Sequence, residues 1–201
     1  MSEPVPRGPY QGKRVVDLAL LVLVAVPAAI VAVPCALAVW LTSRGPVLFR
    51  QERVGRDGRT FQMIKFRTMT HGDNPIFPDA DRITSAGRVL RRTSLDELPN
   101  LINVWRGEMS IVGPRPTLGY QVERYTERQR GRLAVNPGLT GLAQIRGRNA
   151  LTWPQRIDHD LEYVATQSAA LDLRICLATV RVALTGAGVE GHPDDDPLAS
   201  P

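Results

Sequence analysis

From Leu18 to Ser43 the chain runs for 26 residues without a charge. As α-helix that is about 39 Å, against a bilayer hydrocarbon core of ~30 Å. The run is too long for an ordinary signal-peptide core and lacks a convincing small-x-small cleavage site before Arg44. Pro27 and Pro34 fall inside it, where each removes an intrahelical hydrogen bond and bends the axis. Both flanks are basic, with Arg7, Lys13 and Arg14 before the run and Arg44, Arg50, Arg53 and Arg56 after it. The positive-inside rule then favours both ends on one side of the membrane. A helix-break-helix dipping into one leaflet satisfies both facts, and a simple span stays open. Asp17, at the edge, is placed to pair with Lys13 or Arg14, or is an ordinary interfacial charge.

Beyond residue 44 the pattern turns globular. Val47 to Arg50 and Phe61 to Phe66 read as short strands around Gly55-Arg56-Asp57-Gly58, whose Asp-Gly pair signals a hairpin. A loop with Asp73, Asn74, Pro75, Pro78, Asp79 and Asp81 follows, and its acidic spacing fits no calcium loop. Leu118 to Val135 predicts an amphipathic helix with a solvated face from Glu123 through Arg132, stopped by Asn136-Pro137-Gly138. In Leu171 to Leu184, Arg174 and Arg181 fall seven apart on one stripe, as in a helix lying on a membrane surface or a core helix with one wet edge. The tail after Gly191, with three aspartates among prolines, predicts disorder. Gly186 to Gly191 has the letters of a dinucleotide-binding loop, but it follows a helical pattern and opens no βαβ unit.

Composition narrows the chemistry. The 201 residues are 43% hydrophobic and 22% charged, which excludes a wholly disordered or collagenous chain. Cys35 and Cys176 are too few for a disulfide framework, and Cys35 reads as a small hydrophobe within the apolar run. Three isolated histidines offer no zinc spacing. The net charge is +5, and among 25 basic residues only Lys13 and Lys65 are lysines. Arginine's planar fork suits nucleic acid, a phosphorylated ligand or anionic lipid, and codon bias in a GC-rich genome is the competing reading, preferred for most of the arginines. No nucleic-acid-binding module or cluster of aromatics accompanies them.

Ser94-Leu95-Asp96-Glu97 has the letters of a capping box, with Ser94 as N-cap, Glu97 reaching back, and Leu98, Leu101, Ile102 and Trp105 as the apolar face behind it. Two carboxylates at a positive helix end are unremarkable in themselves. The same end also attracts phosphate, and Arg88, Arg91 and Arg92 stand just upstream. An ionised Asp96 beside arginines is a usable nucleophile toward phosphorus, and Glu97 can hold Mg²⁺. Arg115, between Pro114 and Pro116, and Arg148, in Gly147-Arg148-Asn149, present further forks from turns.

Taken in order, Lys13-Arg14, Gly45-Pro46-Val47-Leu48-Phe49-Arg50-Gln51, Lys65-Phe66-Arg67-Thr68-Met69, Ser94-Leu95-Asp96-Glu97-Leu98-Pro99, Met109 to Pro116 and Pro137-Gly138-Leu139-Thr140-Gly141 resemble the bacterial sugar transferases, the small monotopic phosphoglycosyl transferases. The resemblance implies transfer of a sugar phosphate from a nucleotide diphosphate sugar, of the UDP-sugar type, to undecaprenyl phosphate, releasing a nucleoside monophosphate. It implies Asp96 as covalent nucleophile, Glu97 as ligand of a required Mg²⁺, and Lys65, Arg91, Arg115 and Arg148 on substrate phosphate.

The fold it implies is α+β and mostly helical, with a re-entrant N-terminal membrane helix, a short β-hairpin and interfacial amphipathic helices around a site at the membrane surface. The expected organisation is a flexible residue 1–12 segment, a membrane helix over 13–44, a catalytic domain over 45–191 on the cytoplasmic face of the inner membrane, and a disordered tail over 192–201. A homodimer is left open. The sequence departs from the family pattern at Val26-Pro27, Asn136 and Leu142, the last two expected to bear on donor contacts. The competing reading is a non-catalytic membrane scaffold holding anionic lipid, which requires nothing of Asp96.

Overall fold

The computed structural model describes residues 8–43, 45–70, 82–147 and 150–185. The apolar run forms helix α1, Lys13–Thr42. It stays helical through Pro27 and Pro34, so the expected break in the helix is absent: each proline removes one donor without ending the hydrogen-bond ladder on either side. Only its two ends are buried, Lys13, Asp17 and Leu21 at one and Cys35 and Val39 at the other. The six residues from Val22 to Pro27 are all exposed, more than one full turn, so the helix leaves the protein on every side there. Among the described residues α1 is the one helix long and apolar enough to cross a membrane.

Asp17 is not an interfacial charge. It is 2% exposed, paired with Lys13 at 2.9 Å, and accepts from Ser110 Oγ at 2.8 Å and the Ile111 amide at 3.0 Å. Arg14 goes elsewhere, donating to the carbonyls of Val104 at 2.6 Å and Trp105 at 2.7 Å.

Strands β1, Leu48–Val54, and β2, Thr60–Phe66, pair antiparallel and run longer than the sequence suggests. Asp57 and Gly58 take positive φ, 57° and 76°, at the turn between them. Arg53 lies opposite Phe61, Gln51 opposite Met63 and Phe49 opposite Lys65. The period of two therefore puts Arg53 and Lys65 on one face of the hairpin.

Helix α2, Ser85–Thr93, is capped by Thr84, whose side chain accepts from the Gly87 amide. It crosses the end of β2 so closely that a Cβ at Gly87 would collide with the Thr68 carbonyl. A 3₁₀ helix, Leu95–Asn100, and helix α3, Leu101–Arg106, follow. The expected apolar face is displaced. Six residues at about 120° each instead of 100° turn the following helix by roughly a third of a revolution. Asn100, Asn103 and Val104 are buried in consequence, while Ile102 is 42% and Trp105 65% exposed.

Strand β3, Ser110–Val112, leads into α4, Gly119–Glu123, and α5, Glu127–Arg130. The single helix expected over Leu118 to Val135 is broken because Thr126 and Gln129 form a capping box within it and start a new helix. Arg132, expected on the solvated face, is 2% exposed. Strand β4, Gly138–Thr140, pairs parallel with β3. A Cβ on Gly138 would strike Gly113 and Thr140 backbone, so this approach requires glycine.

Helices α6, Leu142–Arg146, α7, Trp153–Thr166, and α8, Ala169–Thr185, complete the described chain. The main core gathers Leu21, Phe61, Met63, Val104, Ile111, Val112, Leu142, Tyr163 and Ile175. The apolar stripe of α8 passes over Asp172, which is fully buried and receives Lys13 at 2.9 Å and the hydroxyls of Tyr10 and Tyr163 at 2.8 Å each. With Asp17 it forms a satisfied polar network that locks the start of α1 to β3 and α8. The expected acidic loop over 73–81, the Gly186 to Gly191 run and the tail lie outside the described residues.

Candidate active site

Four segments converge on the Asp96–Glu97 pair. The pair does not sit in a capping box. Ser94 adopts the left-handed region, φ 59° and ψ 17°, closing α2, and its side chain makes no cap bond to the 3₁₀ helix. That turn redirects the chain so that Glu97 points to the hairpin instead of back to Ser94. Asn100 and Asn103 fix the approach: the oxygens of both accept from the Ile64 amide, each at 3.2 Å, and Asn103 Nδ2 donates to the Gln62 carbonyl at 2.8 Å. These two asparagines look like ordinary helix residues in the sequence. Their spacing of three on one face is the only signal they give.

Glu97 Oε1 accepts from Lys65 Nζ at 2.7 Å and from Arg115 Nη2 at 2.9 Å. Burial alone would raise this carboxyl, but the charges and hydrogen bonds of Arg115 and Lys65 hold it well below the usual carboxylate range. Glu97 in turn raises the Arg115 guanidinium above its ordinary value. Glu97 Oε2 has no partner among the described residues.

Asp96 differs from its neighbour. It makes no hydrogen bond or ion pair to the described residues, and burial pushes its carboxyl above the ordinary aspartate value. Lys65, Arg115 and Arg91 oppose that rise, and Glu97 adds to it. Arg91 is held on α2 by Thr68 Oγ1 at 3.1 Å and Met69 Sδ at 3.3 Å, near enough to act on Asp96 through its charge.

Arg115 stands on the turn after β3, and the turn is braced from behind. Arg132 Nη2 donates to the Arg115 carbonyl at 2.8 Å and pairs with Asp160, while Nη1 donates to Tyr125 Oη at 2.7 Å. Beside Glu97 and Arg115 opens a small cleft, also lined by Arg53, Met63, Asn100 and Gly138. Arg53, a flank of the membrane run in the sequence, is placed on the Lys65 face by the register of β1 on β2. Of the expected phosphate-binding residues, Lys65, Arg91 and Arg115 come together around the pair. Arg148 lies outside the described residues. Of the two departures expected to bear on donor contacts, Leu142 packs in the core and Asn136 donates to the Gly107 carbonyl at 3.0 Å.

The bacterial sugar transferase family profile matches residues 9–186 of this chain, which includes every one of these groups. The chain is a bacterial sugar transferase. Among its relatives, "Uncharacterized sugar transferase EpsL" of Bacillus subtilis is 41% identical over 89% of this chain and 90% of its own length. The "UDP-glucose:undecaprenyl-phosphate glucose-1-phosphate transferase" of Caulobacter vibrioides is 43% identical over 90% of this chain and 73% of its own length. A protein of the same name in Escherichia coli is 42% identical over 84% of this sugar transferase, which spans 39% of that longer relative.

Proposed function

We propose that this sugar transferase moves a sugar phosphate from a nucleotide diphosphate sugar, of the UDP-sugar class, to undecaprenyl phosphate. It works at the cytoplasmic face of the inner membrane, through a covalent intermediate on Asp96. The observation that carries the mechanism is the division of labour between adjacent carboxylates. Glu97 is neutralised by Lys65 and Arg115, whereas Asp96 is desolvated and free of partners. A carboxylate without hydrogen bonds, flanked by cations that draw in phosphate, is equipped to attack phosphorus. Relatives named for the glucose-1-phosphate transfer supply the substrate class.

In the first half-reaction Asp96 bonds to the β-phosphorus and the nucleoside monophosphate leaves. In the second, an oxygen of the lipid phosphate attacks that phosphorus and releases Asp96. Lys65, Arg91 and Arg115 offset charge on the transferred group in both. The free Oε2 of Glu97, next to the free Asp96 carboxylate, fits Mg²⁺, which is held by one or two carboxylates together with substrate phosphate oxygens. When bound, the ion adds neutralisation of phosphoryl charge.

The membrane arrangement rests on α1. Its two ends pack on the same body, Leu21 in the main core and Val39 with Phe66 and Leu90, while the intervening turns expose Val22, Leu23, Val26, Ile30 and Val33 at 67–72%. Covering such side chains with lipid is worth about 1.5–3 kcal/mol each. Both ends on one body, with Pro27 and Pro34 between them to bend the axis without ending the helix, support a re-entrant arrangement. Turnover is tested by reconstituting the protein with undecaprenyl phosphate and a panel of sugar nucleotides. Release of nucleoside monophosphate with formation of lipid diphosphate sugar is expected, and a panel without release would refute the assignment.

A further inference from the structure

Arg53 is a cation in want of an anion. It projects from β1 into the cleft beside Glu97 and Arg115, on the same hairpin face as Lys65. Its guanidinium donates to Gln51 Oε1 at 2.6 Å and to the Pro116 carbonyl at 3.5 Å, both neutral. Its Nε is buried with no partner, and no carboxylate among the described residues pairs with it. Arg115, the other cation lining the cleft, and Lys65 beside it are each paired with Glu97, whereas Arg53 is not. Burial, with Arg115 adding to it, pulls the Arg53 guanidinium down to about 10. A desolvated arginine beside a second arginine is unfavourable unless an anion joins them.

Position decides which anion. On the hairpin face Arg53 stands four residues along β1 from Phe49, the partner of Lys65, about 13 Å from the Lys65 position, and it lines the cleft that Glu97 and Arg115 line and Asp96 does not. It therefore lies beyond the Glu97–Arg115 pair as seen from the nucleophile. In an in-line displacement the leaving group is on the side of phosphorus opposite the attacking atom. We infer that Arg53 is the receptor for the departing phosphate of the donor, the one that leaves as nucleoside monophosphate.

This inference rests on the proposed phosphoryl transfer. There, an Asp96 oxygen bonds to the β-phosphorus and the bond from that phosphorus to the bridging oxygen breaks. The electron pair stays on the bridging oxygen, which becomes an oxygen of the nucleoside monophosphate and takes its phosphate from one negative charge to two. Arg53 gains its partner as that charge builds, so the contact is stronger in the transition state than with bound donor.

The test uses the full-length protein in lipid nanodiscs, with UMP, CMP and GMP and their nucleosides as probes in equilibrium dialysis, and single-turnover release of nucleoside monophosphate as a second readout. For the nucleotide that the wild type releases, Arg53→Gln should weaken monophosphate binding about 10- to 100-fold, the range for a charge-assisted hydrogen bond. Nucleoside binding should stay unchanged, single-turnover release should slow by at least as much, and Arg53→Lys should recover part of the loss. If Arg53→Gln does not fold, Arg53→Lys carries the test, with a loss of fivefold or more expected because an ammonium's three donors sit on one nitrogen and cannot span Gln51, Pro116 and phosphate as the planar fork does. Monophosphate binding within threefold of wild type, or equal loss of nucleoside and monophosphate, would overturn the assignment. Wild-type protein that releases no monophosphate from any sugar nucleotide would overturn the parent proposal instead.

Discussion

Replacing each carboxylate of the Asp96–Glu97 pair by its amide should move stability in opposite directions. Glu97→Gln removes the charge from a side chain 16% exposed, leaving Lys65, also 16% exposed, without its counterion. A charge-assisted hydrogen bond of this kind is worth about 1.5–3 kcal/mol. The Arg115 arm is 46% exposed, and solvent reduces its share to about 1 kcal/mol or less. The variant should therefore lose roughly 2–4 kcal/mol at pH 7, a fall in Tm of about 5–15 °C for a chain of this size.

Asp96→Asn has no partner to lose and relieves the burial of a charge, so its stability should equal or exceed that of the wild type. The pH dependence follows from the two shifts. The Glu97 carboxyl is held low, so its stabilisation is present above the unfolded value of about 4.3 and is lost as pH falls through the folded value. The Glu97→Gln deficit should hold from pH 8 to 5 and shrink in stronger acid. The Asp96 carboxyl is raised, so its destabilisation is present at neutral pH and disappears once acid protonates it in both states. Urea unfolding followed by tryptophan fluorescence, in detergent across this pH range, measures both. Equal losses in the two variants, or a Glu97→Gln loss below about 0.5 kcal/mol, would refute the division of labour argued for the pair.

Three other outcomes are expected. Arg132→Ala leaves Asp160 as an uncompensated buried charge and unties the Arg115 carbonyl; it should cost about 3–5 kcal/mol in unfolding and raise the KM for the sugar nucleotide in whatever protein remains folded. In a background without Cys35 and Cys176, cysteines at Gly8 and Arg50, both exposed, should react with an impermeant thiol reagent from the same side of the membrane; labelling from opposite sides would establish a crossing helix. EDTA should abolish turnover and Mg²⁺ should restore it where Zn²⁺ does not, because carboxylate and phosphate oxygens make a hard ligand set; turnover that survives the chelator would remove Glu97 as a metal ligand.

What the sequence disclosed depended on whether local chemistry or tertiary contacts decided the matter. The hairpin was legible because alternation and the Asp57-Gly58 turn are local signals, and α1 because 26 uncharged residues leave little else to form. Asp96, Glu97, Lys65 and Arg115 were legible as a set through their motifs, and the structure brings the last three within bonding distance. Ser94 misled because a capping-box pattern carries no information about the left-handed turn that α2 imposes on it. Arg132 read as a surface charge and Asp172 went unnoticed because burial of a charge depends on a distant partner, Asp160 in one case and Lys13 in the other. Arg53 was counted as a flanking charge of the membrane segment, since its role is set by strand register and by the neutral groups around it.

The central claim is that Asp96 carries the sugar phosphate between the two substrates. Purified protein incubated with its sugar nucleotide in the absence of undecaprenyl phosphate, quenched and examined by intact-mass and peptide mass spectrometry, tests it most directly. The account predicts one equivalent of nucleoside monophosphate released and a gain of one sugar phosphate per chain, located on Asp96, discharged when undecaprenyl phosphate is added and absent from Asp96→Asn. Release of nucleoside monophosphate only after the lipid acceptor is added, or an unmodified Asp96 in protein that turns over normally, would contradict it.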